Sequence, residues 1–569
     1  MKQKFVDRIF VYMSAFALIS LLLVSCCQEN QYPKGIKHVV VIGIDGMSVQ
    51  GFLEAETPCM DSLLQNGAYN YKVRSVLPTV SKPNWNAMLC GAGPEATGVI
   101  DNSWNRSFDV CPPVAMSEHK VFPNIFSVIR QQMPKAETGC ISQWSGFKDM
   151  LETELINRFE TYPTPLETAQ KTAEYILDKK PDFVFIQLDE VDDAGHSKGH
   201  MSPGYIETIH EIDGDVQIIV NAVKKAGISQ NTMIMVVADH GGIFFGHGRN
   251  HYEELTTPII YSGKGIKKGY QIKQQIYKYD VAADVAFALG LKIPQVWVGR
   301  PVKAVYEGFD EPDNIYKGTE ILPPPTFISK EVKTVYGDLF VDTAAVVKIK
   351  RPIGVEGDIR YTTDGTMPTR ESALYSEPFT LEKAAIVNAR IFGKEGESPM
   401  VSAQYRVVYS KTGNGVNYSF YNLPGEKNMP SFASKTPAGK GVCYEIGLNT
   451  PEINSLKKKY NTDYGMCFTG WLKIDFDAEY TFRIWSDGGY RLFINSTLVT
   501  GNSILSGSSS EGTIQLAKGS YPFKVEYFTH ERSGSLDVYY EAPGMPTLFL
   551  PGNQLFREQE KSIQPVVDK

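Results

Sequence analysis

Short apolar runs alternate with amphipathic stretches between Lys37 and about Pro301. Segments 38–44, 183–188 and 233–238 are almost continuously apolar, as expected of strands that are buried on both faces of a parallel sheet. Segments 164–177 and 205–225 lie before and between the two later runs and have helical spacing. The alternation predicts an α/β domain that is built on a parallel sheet.

The pattern changes after the proline run at 323–325, which is typical of a stiff linker. Strand-like segments and turn signals such as Thr363-Asp364-Gly365-Thr366 follow it, with few long helical periods. This pattern predicts two all-β modules, at residues 325–409 and 414–558.

The composition narrows the class of protein. The chain has 569 residues, and at ~150 residues per domain this length predicts several domains. A hydrophobic content of 42% with 11% aromatic residues excludes a largely disordered chain. The net charge is −7 and the pI is about 5.8, so no overall positive field is available to hold nucleic acid.

The N-terminus has the pattern of a targeting signal. Three basic residues within the first eight positions precede an apolar run at 9–24, and Leu23-Val24-Ser25-Cys26 follows. This arrangement resembles a bacterial lipoprotein signal. The resemblance implies removal of residues 1–25, a lipid on Cys26, and an extracytoplasmic protein anchored to a bacterial membrane, facing the periplasm or exposed at the cell surface. The alternative is an uncleaved membrane anchor, for which the run is slightly short of ~20 residues.

The eight cysteines leave seven if Cys26 carries lipid. An odd number in an oxidising compartment predicts at least one free thiol, and the spacing alone assigns no disulfide.

Histidine and aspartate residues concentrate at the ends of the predicted strands. Six of the nine histidines fall between residues 196 and 251. Four aspartates each follow an apolar run, and the carboxyl ends of parallel strands meet at one rim of a sheet, which is where ligands bind. Carboxylate oxygens and imidazole nitrogens are ligands of divalent metal ions, so these residues predict a metal site. The four aspartates are Asp45, Asp189, Asp192 and Asp239.

Several motifs together resemble the alkaline phosphatase superfamily, most closely its type I phosphodiesterase / nucleotide pyrophosphatase branch. The resemblance covers residues 36–312 and includes the phosphatase-like fold of that region. Its motifs are Gly43-Ile44-Asp45-Gly46, Pro78-Thr79-Val80-Ser81-Lys82-Pro83-Asn84, Gly98-Val99-Ile100-Asp101-Asn102, Asp192 with His196, Asp239-His240-Gly241, and His247 ahead of Pro258.

The resemblance implies two zinc ions. Asp192, His196 and His247 form what we call the first ligand set, and Asp45, Asp239, His240 and the Ser81 oxygen form the second. It further implies that Ser81 attacks phosphorus and forms a phospho-serine intermediate at the two-metal site. Asn84 is expected to donate a hydrogen bond to a phosphoryl oxygen, and its alternative role is an Asx turn after Pro83.

Some positions remain open or depart from the family pattern. Asp189 and Asp193 compete with Asp192, and His251 competes with His247. The nucleophile is Ser where the branch often has Thr, and residue 85 is Trp where many relatives have His. Trp85 and Trp104 are candidates for an aromatic wall around a base or sugar, or for plain packing.

The C-terminal modules resemble two further families. Residues 359–378 are similar to the chitobiase/β-hexosaminidase C-terminal module, a small immunoglobulin-like sandwich with a structural role. Residues 468–528 resemble a PA14 domain, a β-barrel that implies possible glycan contact. Asp487-Gly488 stands where glycan-binding members use paired aspartates with calcium, so no calcium site is expected here.

The leading functional interpretation is a zinc-dependent hydrolase of phosphate diesters or pyrophosphates, with a nucleotide or phosphorylated glycan as substrate. A sulfatase or phosphomonoesterase of the same superfamily is the enzymatic alternative. Segment 81–85 lacks the arginine of the sulfatase [CS]-x-P-x-R signature, which lowers the rank of the sulfatase. The remaining alternative is a glycan-binding lipoprotein without catalytic activity.

Overall fold

The computed structural model describes residues 32–559, apart from 107–110, 244, 314–319, 329–336, 395, 461–462, 504–507 and 531–533. The chain divides into two compact units, Met1–Gly318 and Thr319–Lys569. The expected signal peptide and Cys26 lie outside the described residues. Among the helices that the structure describes, none is both long enough and apolar enough to cross a membrane.

An eight-stranded sheet forms the centre of the first unit. Its order is β4-β3-β5-β1-β6-β7-β2-β8. The five strands from β4 to β6 are parallel, β7 runs antiparallel to both of its neighbours, and β8 is parallel to β2. The strands are β1 (His38–Ile44), β2 (Gly67–Arg74), β3 (Thr138–Ser142), β4 (Arg158–Thr161), β5 (Phe183–Leu188), β6 (Thr232–Ala238), β7 (Thr256–Gly263) and β8 (Tyr270–Gln271).

Helices cover both faces of this sheet. Side chains of β1 alternate between the two cores, with Val39 and Val41 in one and Val40 and Ile42 in the other, as the period of a strand requires. Helices α3, α5 and α11 pack in the first core, and α1, α2, α7, α8 and α9 pack in the second. The helices are α1 (Val49–Glu54), α2 (Pro58–Gln65), α3 (Ser81–Cys90), α4 (Pro94–Thr97), α5 (Ile125–Gln132), α6 (Phe147–Met150), α7 (Pro165–Lys179), α8 (Glu190–Lys198), α9 (Pro203–Lys225), α10 (Tyr252–Leu255) and α11 (Asp280–Ala288).

The register of the central strands brings the aspartates to one rim. Ile44, the last residue of β1, pairs with both Leu188 and Ala238, the last residues of β5 and β6. The residues that follow these three strands therefore lie at the same edge of the sheet. This mixed, mainly parallel sheet between two helical layers confirms the predicted α/β class.

The second unit is almost entirely β. Its first group of strands forms a three-stranded sheet, β10-β12-β15, and a seven-stranded sheet around β18-β16-β13. They are β9 (Glu320–Ile321), β10 (Thr326–Ile328), β11 (Leu339–Val341), β12 (Ala345–Lys350), β13 (Asp358–Thr362), β14 (Ala373–Leu374), β15 (Phe379–Leu381), β16 (Ala385–Phe392), β17 (Gly396–Glu397) and β18 (Val401–Val408).

The second group forms two further sheets, β20-β19-β21-β26-β23-β24 with β29 beside β21, and β25-β22-β27-β28. Helix α12 (Pro451–Tyr460) accompanies them. The strands are β19 (Val416–Asn422), β20 (Gly439–Cys443), β21 (Tyr464–Ile474), β22 (Ala478–Ser486), β23 (Gly489–Ile494), β24 (Thr497–Asn502), β25 (Ser508–Leu516), β26 (Gly519–Thr529), β27 (Leu536–Ala542), β28 (Met545–Phe549) and β29 (Leu555–Phe556).

Buried polar contacts join the two groups of strands. The Arg406 guanidinium is fully buried, and its Nε lies 3.1 Å from Glu445 Oε2. The Gln404 amide donates to the Phe549 carbonyl at 2.8 Å and accepts from the Phe549 N–H at 3.1 Å. Because a buried charge is stable only when it is paired, Arg406 ties the groups into one unit.

The six cysteines that the structure describes are all unpaired. Burial raises the pKa of the Cys59 thiol to about 12, which keeps it in the unreactive thiol form. The six are Cys59, Cys90, Cys111, Cys140, Cys443 and Cys467.

Candidate active site

Ser81 is the first residue of α3 and lies at the sheet rim. Its side chain is largely buried, and its Oγ lies 3.3 Å from His240 Nε2. The loop before it runs beside the segment after β6, because the Thr79 carbonyl accepts a hydrogen bond from His247 Nδ1 at 2.8 Å. The proposed nucleophile and the histidine-rich loop therefore form one wall.

The second ligand set converges on the His240 ring. His240 Nε2 lies 3.1 Å from Asp239 Oδ2 and 3.6 Å from Asp45 Oδ1. Asp45 and Asp239 follow the adjacent strands β1 and β6, so the sheet itself brings the two carboxylates together. All three side chains are buried.

The first ligand set forms a similar triangle. His196 Nε2 lies 3.2 Å from Asp192 Oδ2 and 3.2 Å from His247 Nε2. The third side, from His247 Nε2 to Asp192 Oδ2, is 3.6 Å. Asp192 and His196 are one turn apart on α8, which places both on the same face of that helix.

The spacing of both sets fits zinc. Zinc holds nitrogen and oxygen ligands at about 2.0–2.1 Å in tetrahedral geometry, which puts neighbouring ligand atoms about 3.3 Å apart. Three buried carboxylate oxygens have no hydrogen-bond partner among the described residues, although buried polar atoms are normally paired. They are Asp45 Oδ1, Asp192 Oδ1 and Asp239 Oδ2.

Backbone carbonyls orient the three imidazoles. Each Nδ1 faces a carbonyl oxygen, at 2.7 Å for His196, 2.9 Å for His240 and 2.8 Å for His247. A carbonyl only accepts, so each Nδ1 carries the hydrogen and each Nε2 presents its lone pair, as a metal ligand requires. The His240 and His247 rings stack at 3.8 Å, so the two sets adjoin.

The electrostatics of the cluster favour a cation. Burial and the nearby Asp239 carboxylate raise the pKa of Asp45 well above its usual value. Burial and Asp192 likewise raise the pKa of Asp239. Burial opposes ionisation of Asp192, but without a metal, His196 and His247 carry protons on Nε2 as well, and their hydrogen bonds hold the pKa of Asp192 well below the usual range. A metal ion bound at Nε2 would replace those protons. A divalent cation would stabilise all three carboxylates in their ionised form.

The structure distinguishes among the competing residues. Asp189 Oδ1 accepts from the Gln187 amide at 2.7 Å, and Asp193 is exposed. His251 is exposed before α10. Asp192 and His247, in contrast, contact each other and His196.

Asn84 is placed differently from the expected phosphoryl donor. Its amide donates to the carbonyls of Val76, Pro78 and Val80 at 3.4, 3.2 and 2.9 Å, and its Oδ1 accepts from the Val76 N–H at 2.8 Å. Because these contacts use the buried amide, Asn84 shapes the nucleophile loop. None of these contacts is the hydrogen bond of an Asx turn after Pro83, which was the alternative role.

Asn102 contacts the first turn of α3. Its Oδ1 accepts from the Lys82 N–H at 2.8 Å, and the side chain is exposed beside Ser81. This bond leaves the Nδ2 group of Asn102 as the donor end of the amide. The motif that contains Asn102 could be recognised in the sequence, but the direction of the Asn102 side chain could not be predicted from it.

The two tryptophans contribute packing. Trp85 is fully buried and donates from Nε1 to Asp45 Oδ2 at 2.8 Å, and Trp104 is 6% exposed. Trp85 therefore has no exposed ring face on which a base or sugar could stack.

Thr79 and Glu254 form a buried contact that sequence reasoning missed. Thr79 Oγ1 lies 2.8 Å from Glu254 Oε2 and 2.7 Å from the Arg249 carbonyl, and it accepts from the Gly248 N–H at 3.0 Å. The contact fixes the nucleophile loop against the loop that carries His247. No local pattern marks Glu254, because its burial depends on the tertiary fold.

Three parts of the chain match known protein families. Residues 39–127 and 114–253 match the type I phosphodiesterase / nucleotide pyrophosphatase family. Residues 449–547 match the PA14 domain, and residues 348–405 match the Fn3 associated family.

Curated relatives match part of the chain. Ectonucleotide pyrophosphatase/phosphodiesterase family member 3 of Rattus norvegicus is 26% identical over 232 residues, which is 38% of this chain and 26% of the relative. Member 1 of Homo sapiens is 26% identical over 237 residues, or 37% and 24% of the two chains. The chain thus spans about a quarter of the length of these relatives.

The chain is also similar to part of the solved structure of murine ectonucleotide pyrophosphatase / phosphodiesterase 5, inactive, in complex with AMP. It is 16% identical, with a TM-score of 0.39, and the match covers 45% of this chain and 96% of that one. A 2-O GAG sulfatase is 15% identical, with a TM-score of 0.40 and coverage of 58% and 82%.

The sheet and the motifs at its rim are those of the alkaline phosphatase superfamily. Residues 39–253 form a domain of its type I phosphodiesterase / nucleotide pyrophosphatase branch, and a PA14 domain follows near the C-terminus.

Proposed function

We propose that this protein is a zinc-dependent hydrolase of phosphate diesters or pyrophosphates, with Ser81 as its nucleophile. The observation that carries the proposal is the pair of adjoining ligand triangles with the Ser81 oxygen beside one of them. The names of the relatives, nucleotide pyrophosphatase and phosphodiesterase, support this substrate class.

The residues divide the chemistry between them. Zinc ions held by the two ligand sets would lower the pKa of the Ser81 hydroxyl and offset negative charge on the phosphoryl group. Ser81 Oγ then forms a bond to phosphorus as the bond to the leaving oxygen breaks, which gives a phospho-serine. Water hydrolyses that ester and restores the serine. The Asn102 side chain is bound through its Oδ1 to the start of α3, and its Nδ2 group would donate to a non-bridging phosphoryl oxygen.

The sulfatase alternative has less support. The fifth residue of the sulfatase signature would be arginine, and here it is Trp85, whose indole is buried against Asp45. A substrate panel decides between the activities of this superfamily. It compares bis-p-nitrophenyl phosphate, p-nitrophenyl phosphate and p-nitrophenyl sulfate.

The test uses the purified chain, the Ser81→Ala variant and zinc analysis. We expect release of p-nitrophenol from the diester, loss of that release in Ser81→Ala, and about two zinc ions per chain. Turnover of the sulfate alone would favour a sulfatase. Glycan binding without turnover of any ester would favour the non-catalytic alternative.

We also propose that a lipid on Cys26 anchors the protein outside the cytoplasm of a bacterium, and that its PA14 domain contacts glycans. The lipoprotein-like signal supports the first idea, and the family match supports the second. Cys26→Ser should move the protein from the membrane fraction to the soluble fraction. A glycan array with the full chain tests the sugar contact.

A further inference from the structure

The two oxygens of the Asp45 carboxylate have different surroundings. Oδ2 accepts from Trp85 Nε1 at 2.8 Å and from Gln187 Nε2 at 3.0 Å. Oδ1 has no hydrogen-bond partner among the described residues and lies 3.6 Å from His240 Nε2. The carboxylate is thus held by one oxygen and presents the other to the second ligand set.

Asp239 has the same division of oxygens. Its Oδ1 accepts from the Gly46 N–H at 3.0 Å, whereas its Oδ2 is unpaired among the described residues and lies 3.1 Å from His240 Nε2. The repeated pattern indicates that both carboxylates are oriented to offer a single oxygen.

The packing of Trp85 shows that the sequence makes room for this contact. The indole is fully buried, and its ring centroid lies 6.0 Å from Phe147 and 5.8 Å from Phe185. It lies across β1 at Gly43, where an added Cβ would come within 2.6 Å of the ring. Only glycine therefore leaves room for the indole at position 43, although a strand position would otherwise favour a β-branched residue.

Gln187 supplies the second donor from β5. Its Nε2 reaches both Asp45 Oδ2 and Asp189 Oδ1, and its Oε1 accepts from the Trp144 N–H at 2.9 Å. The amide is fully buried and bonded on both ends, so its direction is fixed.

We propose that Trp85 is a positioning residue, which with Gln187 locks the Asp45 carboxylate so that only Oδ1 faces the second ligand set. The inference rests on the proposed function, because Asp45 must be a ligand. Without the indole N–H, the carboxylate turns more freely and presents Oδ1 less often. Partners that orient metal ligands typically contribute about 10–100-fold in metal affinity.

The test measures zinc binding directly, independently of turnover. Metal-free full-length protein is titrated with zinc against a chromophoric chelator, for the wild type and for Trp85→Phe, which keeps an aromatic ring but lacks the N–H. We expect one site to keep its affinity and the other to weaken by about 10–100-fold. Gln187→Met removes the other donor and leaves the Trp85 indole in place, and it should weaken the same site if Trp85→Phe does not fold.

Trp297→Phe is the matched control. Trp297 is 6% exposed and donates from Nε1 to the Pro123 carbonyl at 2.9 Å, so its replacement removes a buried indole hydrogen bond away from the ligands. Both zinc affinities should stay at wild-type values in this variant. A loss of equal size in Trp297→Phe would mean that general destabilisation explains the effect, and would overturn the inference.

The outcomes separate the two proposals. Two zinc sites of unchanged affinity in Trp85→Phe and Gln187→Met would overturn the positioning role and leave the proposed function intact. A wild-type protein that binds no zinc would overturn the proposed function, and the positioning role with it.

Discussion

Replacement of Thr79 by valine tests the link between the nucleophile loop and the histidine-bearing loop. Thr79 is fully buried, and its hydroxyl contacts the Glu254 carboxylate, the Arg249 carbonyl and the Gly248 N–H. Valine preserves the shape but removes every one of these contacts. The backbone carbonyl of residue 79, which orients His247, remains.

The expected magnitude follows from the lost contacts. A hydrogen bond to a charged group contributes about 1.5–3 kcal/mol, and an unpaired buried N–H costs about 1–3 kcal/mol. The free energy of unfolding should therefore fall by about 3–5 kcal/mol, which for a unit of about 300 residues lowers Tm by about 5–8 °C. A loop shift near 1 Å would also lower kcat/KM by about 100-fold.

Scanning calorimetry of the full chain and turnover of bis-p-nitrophenyl phosphate provide the measurements. Thr79→Ser keeps the hydroxyl and is the control, with an expected Tm within a few degrees of the wild type. A Thr79→Val protein with wild-type Tm and wild-type kcat/KM would refute the reasoning, since the buried contact would then contribute nothing.

Three other predictions concern different parts of the molecule. Gly43→Ala should displace the indole that lies 2.6 Å from the added Cβ and weaken one zinc site, whereas Gly214→Ala, which meets nothing within 4 Å, should not. Arg406→Met leaves the buried Glu445 carboxylate without its ion-pair partner and should lower the free energy of unfolding of the second unit by about 3–5 kcal/mol. Arg483→Met, which removes an exposed ion pair, should lower it by at most about 1 kcal/mol, and urea unfolding measures both. Chelation should abolish turnover and lower Tm, and added zinc should restore both; unchanged turnover in chelator would contradict a metal requirement.

The central strands and major helices could be predicted from the sequence because their periodicity is local. Segment 164–177 corresponds to Pro165–Lys179, and segment 205–225 to Pro203–Lys225. The reversed strand β7 and its neighbours at the sheet edge were not predicted, since strand direction depends on pairing between distant segments.

The proximity of the proposed ligands was also predictable, because each follows a strand or lies one helical turn from another ligand. The roles of Asn84, Trp85 and Glu254 were not. A motif specifies which residue is present, but the partner of its amide, indole or carboxylate is set by tertiary contacts such as that between Trp85 and Asp45, forty residues apart.

The order of strands in the first sheet has a consequence for biosynthesis. β1 pairs with β5 and β6, and Ile44 meets Leu188 and Ala238. At about 5–20 residues per second, the ribosome adds the intervening chain in roughly 10–40 seconds. For that interval the apolar strand β1 has neither of its native neighbours, so its hydrogen-bonding edges and side chains stay uncovered until the later strands have been synthesised.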